Sequence, residues 1–290
     1  ERVYNNPENW ENGMGDWYVT NGTWEVGTPA SPSAAYQGTK CLATRLDGNY
    51  TPRAITSIIS PPVTIPQLSQ LPRLRFQEWF SFNQDSGDRD HGKVKIKPVG
   101  STTWTQLEEN VAVNSGGIWF NAYYDLQAYA GQSVQIAFEL DVANTYYFAG
   151  TDYADEDLGW YIDNIMIETG NPLFNDPETW ESGIGDWYAT KGTWEVGTPT
   201  TGPGVAYQGT KCLATRLGAY YTPRAITSII SPPVTIPQLS QLPRLRFQEW
   251  FSFNQDSGDR DHGKVKIKPV GSTTWTQLEE NVAVNSGGIW

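Results

Sequence analysis

The chain has 290 residues, with 32 Asp and Glu against 20 Lys and Arg, a formal net charge of −12. That surplus excludes a nucleic-acid partner, whose phosphates need a basic face, and an anionic membrane surface; no run of about 18 apolar residues spans a bilayer. Aromatic residues at 13%, 13 of them Trp, with only 18% charged residues, exclude a disordered chain.

Taken in chain order, the predicted elements are strands. Stretches near 16–27 and 38–46 come first, with Asn21-Gly22 and Asp47-Gly48 as turn signals, then 54–60, closed by Pro61-Pro62. Arg73–Phe82 alternates with period two and puts Leu74, Phe76, Phe80 and Phe82 on one face, together with Glu78. Lys93, Lys95 and Lys97 share one face of the next strand, and Arg73 and Arg75 are expected to flank them. Strands near 103–108 and 118–125 follow, parted by Gly116-Gly117, then Ser133–Leu140 and Trp160–Ile167. Nine or ten short strands without a helix, in roughly 165 residues, predict an all-β fold, an antiparallel two-sheet jelly-roll sandwich.

The sequence also repeats itself. Asn5-Asn6-Pro7-Glu8-Asn9-Trp10-Glu11 returns as Asn175-Asp176-Pro177-Glu178-Thr179-Trp180-Glu181, and Thr51–Trp119 and Thr222–Trp290 are the same 69 residues. Loop 200–206 is one residue longer than loop 30–35. Two domains are read: a complete sandwich over 4–170 and a second copy over 174–290 without the equivalent of 120–170. Near-identical tandem copies suit fibres, stalks and adhesins, which gain length and multivalency from them. An ordinary duplicated accessory domain is the alternative. The short linker Glu168–Leu173, with its Pro, predicts a semi-rigid rod. The start at Glu1 is read as that of a mature chain or a piece of one, extracellular or at the cell surface. The stop at Trp290 predicts completion of the second copy by continuing chain or by a neighbouring subunit, as in donor-strand assembly.

Trp10-Glu11-Asn12-Gly13 leading to Gly15-Asp16-Trp17, the stretches Gly38–Thr44 and Ser60-Pro61-Pro62-Val63, and the closing Gly159-Trp160-Tyr161-Ile162-Asp163-Asn164-Ile165 resemble jelly-roll modules of the galactose-binding-like and carbohydrate-binding superfamily. They are also similar to MAM-like modules of secreted bacterial proteins. The likeness spans one repeat, and its shell serves sugar binders, adhesins and protease appendages alike.

Residues 120–170 hold nine Asp and Glu and no Lys or Arg. Carboxylates crowded in this way are solvated, neutralised by bases such as the lysine ladder, or ligate a hard cation, and Ca²⁺ accepts irregular sets of six to eight oxygens. The resemblance implies one structural Ca²⁺, held by the side chains of Glu11 and Asp163 and the backbone carbonyl of Lys40. Glu181 and Lys211 match in the second copy, where the Asp163 equivalent is absent. Alternatively, Glu11 and Asp163 accept backbone hydrogen bonds at the sandwich edge. The acid-rich stretches 85–92, 152–157 and 256–263 are read as solvated or internally paired turns.

Trp17, Trp24, Trp79, Trp104, Trp119 and Trp160 are candidates to stack on a pyranose, each with core packing as its alternative. Trp79, with Glu78 beside it, is the candidate contact for a sugar or a partner; the preferred alternative for Glu78, on the face of Phe76 and Phe80, is a bond to a backbone group or an Arg. Cys41 and Cys212 occupy equivalent positions, a domain length apart and beyond the ~7 Å Cα limit for a bridge; a buried thiol and a disulfide to a neighbouring chain both stand. Single His residues in turns, His91 and His262, with no nucleophile motif, argue against an enzyme. The expectation is therefore a calcium-stiffened, non-catalytic structural repeat that associates with itself, with a carbohydrate-binding or accessory module of a secreted hydrolase or protease as the alternative.

Overall fold

Period-two alternation builds two antiparallel sheets. The computed structural model describes residues 2–52, 54–83, 90–111, 114–142, 157–190, 193–223, 225–254, 260–282 and 284–290. Eleven strands form the first copy among these residues: β1 (Tyr18–Thr20), β2 (Glu25–Gly27), β3 (Cys41–Ala43), β4 (Ile55–Ile59), β5 (Val63–Thr64), β6 (Arg73–Ser81), β7 (His91–Pro98), β8 (Thr105–Val111), β9 (Phe120–Asp125), β10 (Ser133–Asp141) and β11 (Gly159–Glu168). The predicted 16–27 stretch divides into β1 and β2 at Asn21 and Gly22, whose φ of 53° and 94° turn the chain. The first sheet runs β1-β4-β10-β7-β8, with β5 also on β10; the second runs β2-β3-β11-β6-β9. The fold is a β-sandwich, as the alternation predicts.

The core lies between the sheets. Leu74, Phe76, Phe80 and Phe82 of the β6 segment face Val94, Ile96, Ile136, Phe138 and Leu140 of the opposite sheet, all at most 1% exposed. Phe138 meets Phe76 and Trp160 at 5.1 and 5.6 Å, both nearly perpendicular. Each such ring contributes about 1.5–3 kcal/mol by leaving water.

The central strand of each sheet comes from the acidic segment 120–170: β10 lies between β4 and β7, and β11 between β3 and β6. Its carboxylates are spent largely within the domain. Lys93 Nζ meets Asp141 Oδ2 at 2.6 Å, and Lys95 Nζ meets Glu139 Oε1 at 2.5 Å. Arg73 and Arg75 do not flank this ladder. β6 and β7 belong to different sheets, and both arginines pair with Glu168 Oε2, at 3.0 and 3.2 Å.

Within the second copy, β12 (Tyr188–Thr190) pairs with β15 (Ser228–Ile230), β13 (Glu195–Gly197) with β14 (Cys212–Ala214), and β16 (His262–Ile267) with β17 (Thr276–Val282). Arg244–Ser252 has the same sequence as β6 but carries no strand. β6 is hydrogen-bonded on both sides, by β9 and β11. Leu74 and Phe76 are 0% and 1% exposed, Leu245 and Phe247 62% and 51%. By compactness, unit 1 comprises Glu1–Asn171 with Tyr188–Thr193 and Tyr221–Ile230, and unit 2 Pro172–Trp187, Trp194–Tyr220 and Ser231–Trp290. Most of the acid-rich stretches 85–92, 152–157 and 256–263 lies outside the described residues.

Candidate functional site

The outer face of the second sheet, turned away from the core, carries a second apolar cluster. Alternation puts Trp79 of β6, Tyr161 of β11, and Cys41 and Ala43 of β3 there, with Ala35, Leu46, Trp119 and Leu158 packed against them. Trp79 and Tyr161 are paired across the strands, their rings 5.2 Å apart at 88°. Segment 28–40 crosses this face as a strap.

At one end of the strap is a groove of about 430 Å³ lined by Ser31, Pro32, Ser33, Ala34, Ala35, Trp79, Gly117, Ile118 and Trp119. The Trp119 indole Nε1–H donates to the Ala34 carbonyl at 3.1 Å, and Tyr36, 48% exposed, sets its ring edge-on to Trp119 at 6.3 Å. No lining residue is charged, and Trp79 Nε1 has no hydrogen-bond partner among the described residues.

At the other end stand the two acids. Glu11 Oε1 accepts from Thr39 N and Lys40 N, both at 2.8 Å, and Oε2 from Thr39 Oγ1 at 2.9 Å; these bonds, that of Thr39 N foremost, hold its carboxyl below the usual range. Gly38 makes this approach possible, because its φ is +70° and a Cβ there would stand 2.5 Å from Glu11 Oε1. Asp163, fully buried at a bulge of β11, accepts from Gln37 N at 2.9 Å and Asn164 N at 2.7 Å. Burial first, with the Glu11 charge also opposing ionisation, pushes its carboxyl up to about 6 despite those bonds.

This donor set suits a hard cation in kind: two carboxylates, one buried and disfavoured as a bare anion, and neither paired with Lys or Arg among the described residues. It falls short in number, since the described residues hold no group of three His, Cys, Asp or Glu side chains; carbonyls and water would have to complete six to eight oxygens. The contacts recorded at Lys40 are donations to Glu11, from its N–H and, at 2.8 Å, from Nζ to the Glu11 carbonyl. Glu181 repeats every one of them with Thr210 and Lys211 in the copy without the second acid, so the loop closes without Asp163.

The remaining candidate residues divide between the core and the groove. Glu78 is no surface contact: it points between the sheets, 2% exposed, accepting from Trp160 Nε1 at 2.9 Å. Trp79 faces the opposite way and reaches the groove. Cys41, 0% exposed in the apolar cluster, and Cys212, 8% exposed, are free thiols. Burial pushes the Cys41 thiol up to about 12, which disfavours the thiolate that a bridge to a neighbouring chain would need. Trp17, Trp24 and Trp160 are core residues, while Trp104 stacks under Lys97 Nζ at 4.7 Å. His91 Nδ1 and His262 Nδ1 bond to Glu109 and Glu280, at 2.7 and 2.6 Å.

The second copy rebuilds the groove's clamp. Trp290 Nε1–H donates to the Val205 carbonyl at 3.1 Å, Tyr207 sits edge-on to Trp290 at 6.5 Å, and Gly202 lies against Trp250. Sequence reasoning named Trp79 and Trp119 but missed Tyr36 and the 31–35 wall, which have no periodicity; the one available signal was that the two copies differ in length there.

No protein-family profile matches the chain. It is 31% identical over 163 residues to Bacillopeptidase F of Bacillus subtilis, covering 55% of this chain and 10% of that protein. Over 128 residues it is 34% identical to Pre-pro-metalloprotease PrtV of Vibrio cholerae, covering 41% and 12%. The chain thus spans about a tenth of the length of these curated relatives. Among solved structures it is similar to the carbohydrate-binding module TmCBM61 in complex with β-1,4-galactotriose (15% identity, 59% of this chain, 99% of that one, TM-score 0.40). It is also similar to the K1 cleaved adhesin domain of Lys-gingipain from Porphyromonas gingivalis (18%, 57% and 97%, TM-score 0.38). At these scores neither ligand nor role transfers to this chain.

Proposed function

We propose that the chain is a non-catalytic accessory part of a larger secreted or surface protein, and that it attaches that protein to a neutral polysaccharide through the Trp79–Trp119 groove. The observation that carries this reading is the groove itself: two indoles and no charged lining residue. Pyranose C–H faces pack on indole rings. A charge of −12 adds repulsion against polyanionic glycans. The relatives support an accessory role, since the similar stretch is about a tenth of each protease. Both histidines are engaged with glutamates in strand pairs.

The test is affinity electrophoresis of the 290-residue chain through gels containing neutral polysaccharides, with Trp119→Ala in parallel. Retardation that Trp119→Ala abolishes in at least one gel is expected, the second copy keeping its own Trp290 clamp. Equal mobility in every gel would overturn the reading.

A second reading, a structural repeat of a fibre, stalk or adhesin that associates with itself, draws on the 69 identical residues of the two copies. In it, Ca²⁺ bound by Glu11 and Asp163 stiffens the strap. Filaments with a one-domain axial repeat under the electron microscope would support it; dispersed single chains would count against it.

A further inference from the structure

We infer that loop 30–35 in the first copy and loop 200–206 in the second are specificity elements, so that two copies of one scaffold select different neutral glycans. This rests on the reading of the groove as a glycan site.

Of the nine lining residues of the first groove, Trp79, Gly117, Ile118 and Trp119 belong to the stretch that is identical in the second copy, as Trp250, Gly288, Ile289 and Trp290. The other five, Ser31 to Ala35, lie in the loop that differs. Among these nine positions, every difference between the copies is therefore confined to this loop.

The clamp that holds the loop is constant. In each copy the Trp indole donates at 3.1 Å to the carbonyl two residues before the Tyr, and the Tyr ring meets the Trp at 61° or 62°. The loop between fixed ends has gained a residue and changed its chemistry without disturbing either contact. Such an element alters recognition without altering the fold.

The chemistry differs in a direction that can be read. Ser31 and Ser33 have no recorded hydroxyl bond to another described residue, so both remain available to a ligand. In the second loop, Thr200 and Thr201 turn their hydroxyls back to the Leu217 carbonyl, both at 3.3 Å. Gly202, at φ +65°, lies so close to Trp250 that a Cβ would stand 3.0 Å from the indole ring. The first groove thus offers two hydroxyls that are unbonded among the described residues, and the second copy sets a backbone against the matching ring. The first suits the more densely hydroxylated sugar face.

The experiment uses the full chain carrying Trp290→Ala, which disables the second clamp, screened against a panel of neutral polysaccharides. Two further variants are made in that background: one with residues 30–35 replaced by the sequence of 200–206, the other with Ser31→Ala and Ser33→Ala. The loop exchange is expected to reorder the ligands, and the serine pair to weaken the preferred one about tenfold. An unchanged order, or an unchanged affinity in the serine variant, would overturn the specificity role while leaving the glycan site standing. A parent that retains no ligand in any gel, with Trp290 intact as well as replaced, overturns both. Tryptophan fluorescence checks that the exchanged loop has folded, and the serine pair decides the matter if it has not.

Discussion

The indole Nε1–H of Trp160 donates to Glu78 Oε2 at 2.9 Å, and both side chains are buried between the two sheets. Asn110 adds a longer donation of 3.5 Å. Burial outweighs these donors and, with the nearby Glu108 charge, pushes the Glu78 carboxyl up to about 8. In the folded chain the proton stays on up to about pH 8, and in the unfolded one it leaves near the usual 4.5.

Stability should therefore fall as pH rises. The folded state binds more protons than the unfolded between about pH 4.5 and 8, so unfolding becomes easier across that window. Each unit is worth about 1.4 kcal/mol, giving a loss on the order of a few kcal/mol. Urea midpoints between pH 6.5 and 9 should decline in the parent and stay flat in Glu78→Gln, which keeps an acceptor for Trp160 without a charge. Parallel slopes would refute the assignment.

Asp163 titrates in the same direction over a lower window, from about 3.8 to about 6. Without a divalent cation, stability should drop as pH rises through that range. If Ca²⁺ binds Glu11 and Asp163, millimolar Ca²⁺ should raise Tm at pH 7 in the parent and leave Asp163→Asn unchanged. Mg²⁺, which demands a tighter octahedron, should do less. Calorimetry with and without chelator measures all three.

Gly38→Ala should destabilise the first unit by about 1–3 kcal/mol, because the φ of +70° is strained for Ala and the new methyl meets Glu11. Gly48→Ala is the matched control. It has open space around its Cβ position and no positive φ, and should be within about 0.5 kcal/mol of the parent. Chemical denaturation of both variants gives the comparison.

Cys41 should resist a thiol reagent until the unit unfolds, and the chain should run as a monomer on non-reducing gels. Rapid labelling in native buffer, or a reducible dimer, would contradict the burial described.

How far the sequence reveals this fold is clearest at Arg73–Ser81. The alternation marked a strand and sorted its faces, yet the identical Arg244–Ser252 is no strand. Period two reports compatibility with a sheet; the neighbouring strands decide whether one forms. The same segment shows why the surroundings of Glu78 are not legible from alternation alone. Aromatic residues lie on both of its faces, Phe76 and Phe80 on one and Trp79 on the other, so alternation grouped Glu78 with Phe76 and Phe80 without saying which set turns inward. Tyr36 and Ser31 lie in a loop, and what gives them a role is the Trp119 bond from 85 residues away.

The placement of β10 and β11 also fixes an order of events at the ribosome. Each sheet is two separate halves until residues 133–168 emerge, because its middle ribbon is the last to be translated. Until then β3, β4, β6 and β7 wait with open edges, and a second set of the same acceptor sequences follows within one polypeptide. Capture of a late ribbon by the wrong set is thus the characteristic misfolding hazard of this chain, and slower translation after the first copy is the condition that would suppress it.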